Sequence, residues 1–72
     1  MYVINNDTIV CIDGNLLKYN TYSDTYKKLD ILESIIFIMD KNPIIEVSDT
    51  DKWSNDNGAI FRVENGNIVK EN

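Results

Sequence analysis

The chain has 72 residues, with twelve acidic and seven basic side chains, no histidine and a formal net charge of −5. A chain of this length hides only about 60% of the surface that it exposes when unfolded, so we expect one small domain over residues 1–72 with a limited core. A second domain and a roomy, closed active site are therefore excluded. Composition alone identifies no activity.

The lack of histidine removes the commonest hydrolytic and metal-binding chemistries. A Ser-His-Asp triad, a Cys-His pair and imidazole ligation all need an imidazole ring. The single cysteine, Cys11, lies between Val10 and Ile12, a context typical of a small buried residue rather than of an activated thiolate. We therefore expect a protein that is not an enzyme and that binds neither a metal nor a cofactor.

The cysteine content and the apolar runs also indicate a cellular compartment. A secreted domain of this size is usually held by about two to four disulfides, whereas one cysteine cannot form an internal disulfide. The first residues lack the basic flank and apolar run of a signal peptide. The longest apolar run, residues 35–39, is far shorter than a bilayer span. These features predict a cytoplasmic protein with no membrane partner.

The N-terminal part of the chain predicts three short strands, over residues 1–4, 8–12 and 15–19. Asp13-Gly14 separates the second strand from the third. This dipeptide favours a type I′ turn, because both central residues of that turn need positive φ. The second and third strands should therefore pair antiparallel.

A long helix is predicted after the polar segment 20–23. Thr21 and Asp24 have the spacing of a capping box, which places the helix start near Ser23. Pro43 ends the helix, because it disfavours helical geometry at the preceding residue. One face of this helix carries apolar residues at the spacing typical of packing on a sheet. These residues are Leu29, Leu32, Ile35, Ile36 and Met39.

The C-terminal part predicts three more strands, over residues 43–48, 59–64 and 67–70, with a polar loop at 49–58. Asn65-Gly66 is a second tight-turn signal. The predicted fold class is therefore α+β, with two antiparallel β-meanders flanking one central amphipathic helix in the order βββ-α-βββ. We expect the sheet to be curled on or around the helix.

The predicted helix has more apolar surface than one sheet face can cover. Ile31 and Ile38 widen its apolar stripe on one side, and Tyr26 and Phe37 widen it on the other. Two interpretations stay open: either the sheet curls around the helix, or the surplus surface contacts another chain, in a homo-oligomer or with a different protein. Under the second interpretation, Ile31, Phe37 and Ile38 are candidate partner-binding residues.

The polar segment 49–58 contains further candidate residues: Asp49, Asp51, Trp53 and Asp56. It makes a poor calcium loop, because Trp53 falls at a ligand position in both possible frames. A solvated, Asx-rich turn is the simpler interpretation. Trp53 is either a lid over the core or an anchor for a partner. Tyr22, at the start of the predicted helix, is another candidate contact.

The charge distribution indicates the kind of partner. Direct nucleic-acid binding needs clustered basic side chains, whereas the seven basic residues of this acidic chain are scattered. A basic protein partner is favoured instead, with Asp49, Asp51 and Asp56 as the acidic contacts.

Three hypotheses of function follow. The first is a non-catalytic, small acidic protein–protein interaction module. The chain is rich in Asn, Ile, Asp, Lys and Tyr, a composition that fits an AT-rich genome. In this composition, in size and in acidity it looks like the accessory proteins of phages and mobile elements, many of which inhibit or regulate a host or defence protein by stoichiometric binding. The second is a small-ligand or nucleotide sequestering protein with its pocket at an oligomer interface, where Trp53, Tyr22 and Arg62 supply stacking and charge. The third, an immunity protein or antitoxin, differs from the first only in the identity of its partner.

Overall fold

The computed structural model describes residues 2–71, which form an α+β fold with one helix and two four-stranded sheets. The predicted fold class is therefore confirmed, although residue 1 of the first predicted strand lies outside the described residues. The elements in chain order are β1 (Tyr2–Ile4), β2 (Ile9–Ile12), β3 (Asn15–Asn20), β4 (Thr25–Lys28), α1 (Ile31–Met39), β5 (Ile44–Glu46), β6 (Lys52–Asn55), β7 (Ile60–Glu64) and β8 (Asn67–Lys70).

Each sheet contains an antiparallel meander that is extended by one parallel strand. The first sheet has the order β4-β3-β2-β5, and the second has the order β1-β6-β7-β8. The strand β5 runs parallel to β2, and β1 runs parallel to β6. Each half of the chain therefore gives its leading strand to the sheet of the other half. This exchange ties the two halves into one unit.

The two predicted tight turns are present. Asp13 and Gly14 have φ values of 50° and 80°, and Asn65 and Gly66 have values of 53° and 77°. These are the left-handed conformations that a type I′ turn requires. The first turn joins β2 to β3, and the second joins β7 to β8.

The start of the predicted helix was wrong, because residues 25–28 form the strand β4. Tyr26 pairs with Tyr19 of β3, and its ring packs edge-on against Phe61 of the second sheet, with 4.9 Å between the ring centroids. This aromatic packing outweighs the local preference for a helix. The helix begins instead after Asp30.

A different capping box therefore starts the helix. The Asp30 side chain accepts a hydrogen bond from the backbone N–H of Glu33 at 2.8 Å, and the Glu33 side chain accepts one from the backbone N–H of Asp30 at 3.2 Å. This reciprocal pair satisfies two backbone donors at the helix N-terminus. At the other end, the chain turns at Lys41, which has a φ of 58°.

The hydrophobic core lies between the two sheets. Its buried residues come from both sheets and from the segment after β5, and they are Ile4, Val10, Ile12, Tyr19, Val47, Trp53, Phe61 and Val63. The helix contributes no buried residue to this core. It is therefore central in the order of the chain but peripheral in space.

The helix lies on the outer face of the first sheet. Tyr19 points into the core, so its neighbour Lys18 points outward on the pleated strand. The Lys18 Nζ atom lies 4.5 Å from the centroid of the Phe37 ring on the helix. Ile9 pairs with Lys18 on the same face and is fully buried. Ile9 is thus a buried residue outside the main core cluster, on the sheet face that Phe37 contacts through Lys18.

Candidate docking surface

The helix α1 turns its apolar side toward solvent. Glu33, Ser34 and Phe37 are half-buried on the side that faces the sheet. The remaining aliphatic side chains form a surface that we call the exposed apolar face. Its members and exposed fractions are Ile31 80%, Leu32 73%, Ile35 47%, Ile36 55%, Ile38 54% and Met39 74%.

Polar contacts hold the helix in this orientation. The Lys27 Nζ lies 3.6 Å from the Glu33 carboxylate, and the Asn42 side-chain amide donates to the Phe37 carbonyl at 3.0 Å. Lys18 adds its contact with the Phe37 ring. The Lys27 and Lys18 contacts join the helix to the first sheet, whereas the Asn42 bond closes the C-terminal end of the helix. The sheet therefore receives the more polar side of the helix and leaves the apolar side uncovered.

This orientation reverses the sequence-based expectation. Leu32, Ile35, Ile36 and Met39 were expected to pack on the sheet but are exposed. Leu29 is buried, but it precedes the helix. Helical periodicity identified the apolar face correctly, but it carries no information on which surface covers that face.

The candidate residues of the helix therefore divide into two groups. Ile31 and Ile38 belong to the exposed apolar face. Phe37 is half-buried against Lys18, so its ring serves mainly to attach the helix to the sheet. Four other residues of the exposed apolar face were not predicted as partner-binding candidates: Leu32, Ile35, Ile36 and Met39. The signal that could have found them was the width of the apolar stripe.

A groove runs beside the exposed apolar face. It has a volume of about 500 Å³ and lies between the helix and the β2–β3 hairpin. Its apolar lining comes from Leu16, Leu29, Ile31, Ile35 and Ile38. The surface therefore presents both a ridge of aliphatic side chains and an adjacent apolar depression.

Charged side chains lie at the two ends of the exposed apolar face but not on it. Lys28 and Asp30 precede the helix, and Asp40 and Lys41 follow it; all four are exposed. This set contains two basic and two acidic residues, so the ends have no net charge. The charge of −5 of the whole chain is therefore not concentrated around this face.

Trp53 lies in the core, in β6 rather than in a polar loop. Its exposed fraction is 0%, and its indole Nε1 donates to the Tyr26 hydroxyl at 3.1 Å. Trp53 was expected to be either a lid over the core or an anchor for a partner. Its ring is buried within the core, so it is not available as a surface anchor. Tyr22, by contrast, is fully exposed in the turn between β3 and β4.

The acidic candidates mainly shape turns. Asp49 accepts a hydrogen bond from the backbone N–H of Gly66 at 2.9 Å, and Asp51 accepts one from the backbone N–H of Ser48 at 2.8 Å. Asp56 is exposed in the β6–β7 turn. Within residues 2–71, no group of three or more His, Cys, Asp or Glu side chains is arranged to hold a metal ion.

The β6–β7 turn is organised by Asn55, which was not among the candidate site residues. Its side-chain oxygen accepts from the backbone N–H of Asn57 at 3.0 Å and from that of Ala59 at 2.9 Å. The residue is buried. The signal was the Asn-Asp-Asn-Gly sequence, which is typical of an Asx-turn.

Two tyrosines have perturbed acidity. Burial raises the pKa of Tyr26, and the hydrogen bond from Trp53 partly opposes that shift. Burial also raises the pKa of Tyr2, and the nearby Asp51 carboxylate adds to the effect. Both phenols therefore stay neutral at physiological pH, so neither is activated as a base or nucleophile.

Comparison of the chain with protein-family models, with curated proteins and with solved structures found no match. Among residues 2–71, no helix is long and apolar enough to cross a membrane.

Proposed function

We propose that this protein is a non-catalytic interaction module that binds a protein target stoichiometrically through the exposed apolar face of α1. The observation that carries the proposal is the outward orientation of six aliphatic side chains on one helix. Contiguous exposed apolar surface on a small protein marks an interaction site. The role that we propose is inhibition or regulation of a host or defence protein by a cytoplasmic accessory protein of a phage or mobile element.

The contacts within the fold support this proposal. The helix is attached to the first sheet by Glu33 and Phe37, which contact Lys27 and Lys18, and the core is built without it. The exposed apolar face is thus not needed to stabilise the two sheets. Covering it with a partner removes aliphatic surface from water, which is the main driving force of protein association.

The test is capture of the target by the wild-type protein and by two charge-introducing variants. Tagged protein is recovered from the lysate of a low-GC bacterial host and examined by native mass spectrometry. Leu32→Glu changes the exposed apolar face, whereas Val3→Glu is a matched control on β1, where Val3 is 68% exposed. We expect a discrete complex that is lost in Leu32→Glu and kept in Val3→Glu. A target retained by Leu32→Glu, or no complex at all, would refute the proposal.

The alternative of a ligand-sequestering protein has less support, because the three residues proposed for it are not brought together. Trp53 is buried between the sheets. Arg62 alternates with the core residues Phe61 and Val63, so it points to the outer face of the second sheet, where it pairs with Glu64 at 2.7 Å. Tyr22 lies in a turn of the first sheet. An immunity protein or antitoxin would use the same docking surface, and only the identity of the target distinguishes it.

A further inference from the structure

We propose that a second copy of this chain covers the exposed apolar face before the target binds, in a two-fold dimer with antiparallel α1 helices. This inference rests on the proposed function, because it names an occupant of the same docking surface. The second copy and the target then exclude each other. Dissociation of the dimer would expose the surface that binds the target.

The area of the surface is sufficient for a dimer. Six aliphatic side chains are each about half to four-fifths exposed. Covering one such side chain removes on the order of 100 Å² of apolar surface from water. Two copies that cover each other's helices would bury about 1,200 Å² in total, which reaches the lower end of the range for stable interfaces.

The shape of the surface is self-complementary. A two-fold dimer requires one patch to present both the protruding and the receiving element. Ile31, Ile35 and Ile38 follow one another at helical spacing and form a ridge. The groove beside them, toward Leu16 and Leu29, is apolar and open. Antiparallel helices can therefore place the ridge of one copy against the groove of the other.

The charges at the helix ends are balanced in this arrangement. In an antiparallel pair centred on Ile35, residues at equal distances from Ile35 along the helix lie opposite each other, so Asp30 of one copy faces Asp40 of the second copy. Lys28 and Lys41 lie beside these carboxylates, so each end of the pair combines two basic and two acidic residues. A strongly basic partner gains no electrostatic advantage here, because the ends of this face have no net charge.

The test is sedimentation equilibrium of the purified full chain over concentrations from low micromolar to several hundred micromolar. We expect a reversible monomer–dimer equilibrium. Ile35→Glu should raise the dissociation constant about tenfold or more, because it places a charge at the centre of the interface. Val3→Glu should leave it unchanged. The fluorescence of Trp53, which lies in the core away from the helix, verifies that each variant is folded.

A charge change tests the antiparallel arrangement. Asp40→Lys should strengthen the dimer about twofold to fivefold, because it places a basic side chain opposite Asp30 of the second copy. The double variant Asp30→Asn with Asp40→Lys should lose this gain, because asparagine keeps the helix cap but removes the charge that faces the lysine. No strengthening in Asp40→Lys, a gain that persists in the double variant, a monomer at all concentrations, or a dimer insensitive to Ile35→Glu would each overturn the proposed dimer.

The dimer and the proposed function can fail separately. A monomeric wild type whose target binding is abolished by Ile35→Glu would overturn the dimer and support the docking function. A dimer that is disrupted by Ile35→Glu while target binding is unchanged would overturn the docking function and support the dimer.

Discussion

The indole Nε1 of Trp53 donates a hydrogen bond to the Tyr26 hydroxyl across 3.1 Å. Trp53 belongs to β6 of the second sheet and Tyr26 to β4 of the first. The bond therefore links the two sheets within the core. The rings also pack edge-on, with 5.9 Å between their centroids. This pair therefore joins β4 and β6 across the core, while backbone pairing holds each strand in its own sheet.

Replacing Tyr26 by Phe tests the hydrogen bond without removing the ring. The variant leaves the buried Trp53 N–H without its acceptor, so we expect the free energy of unfolding to fall by about 1–3 kcal/mol. Urea denaturation followed by Trp53 fluorescence measures the change. Tyr22→Phe is the control, because Tyr22 is fully exposed and should change stability by less than about 0.5 kcal/mol. Equal effects of the two variants would contradict this account.

Stability should decline at alkaline pH because of the same tyrosine. The pKa of Tyr26 is raised above the ordinary value of 10.0 in the folded state, chiefly by burial. The folded state therefore holds the phenolic proton more tightly than the unfolded state does. The contribution of the Tyr26 phenol to the free energy of unfolding is fully present below pH about 10, and it is lost as the pH rises through the pKa of Tyr26 in the folded state.

Denaturation at a series of pH values measures this decline. Tyr26→Phe should show a shallower loss of stability above the ordinary tyrosine pKa than the wild type does. The remaining slope includes Tyr2, whose pKa is also raised. Identical slopes for the wild type and the variant would show that Tyr26 does not contribute.

The orientation of α1 can be tested by comparing an exposed leucine with a buried isoleucine. Leu32 is 73% exposed and Ile9 is 0% exposed. In the monomer, Leu32→Lys should change the free energy of unfolding by less than about 0.5 kcal/mol. Ile9→Ala should lower it by about 2–5 kcal/mol. Denaturation at a concentration where the protein is monomeric measures both. A loss of several kcal/mol in Leu32→Lys would show that this face packs on the sheet.

The capping box should control the local order of the helix. Asp30→Ala removes the acceptor for the Glu33 backbone N–H, which costs about 0.5–2 kcal/mol. A helix of nine residues is not stable on its own. We therefore expect faster hydrogen exchange of the α1 amides, with little change in β7.

Asp40→Ala is the matched control at the other end of the helix. Asp40 is the C-cap residue, where a negative charge is unfavourable to the helix dipole. Its removal should leave the exchange of the α1 amides unchanged or slightly slower. Equal acceleration in both variants would contradict the role assigned to Asp30.

Local signals in the amino-acid order were enough to predict the fold class, the two tight turns and the antiparallel hairpins that these turns join. Asp13-Gly14 and Asn65-Gly66 adopt the positive φ values expected of them, because a type I′ turn depends on the residues that form it. The exposed apolar stripe of α1 was likewise present in the helical spacing. These features depend on neighbours within a few residues along the chain.

Contacts between distant residues decided the rest. Tyr26 and Trp53 are 27 positions apart, so no local pattern could show that β4 and β6 pack together. The parallel pairing of β1 with β6 and of β5 with β2 joins opposite halves of the chain in the same way. The spacing of apolar residues showed which face of the helix is apolar, but it did not show whether that face points to the sheet or to solvent, because only packing determines what covers a face. Tertiary contacts of Phe37 and Glu33 with the first sheet turned that face to solvent.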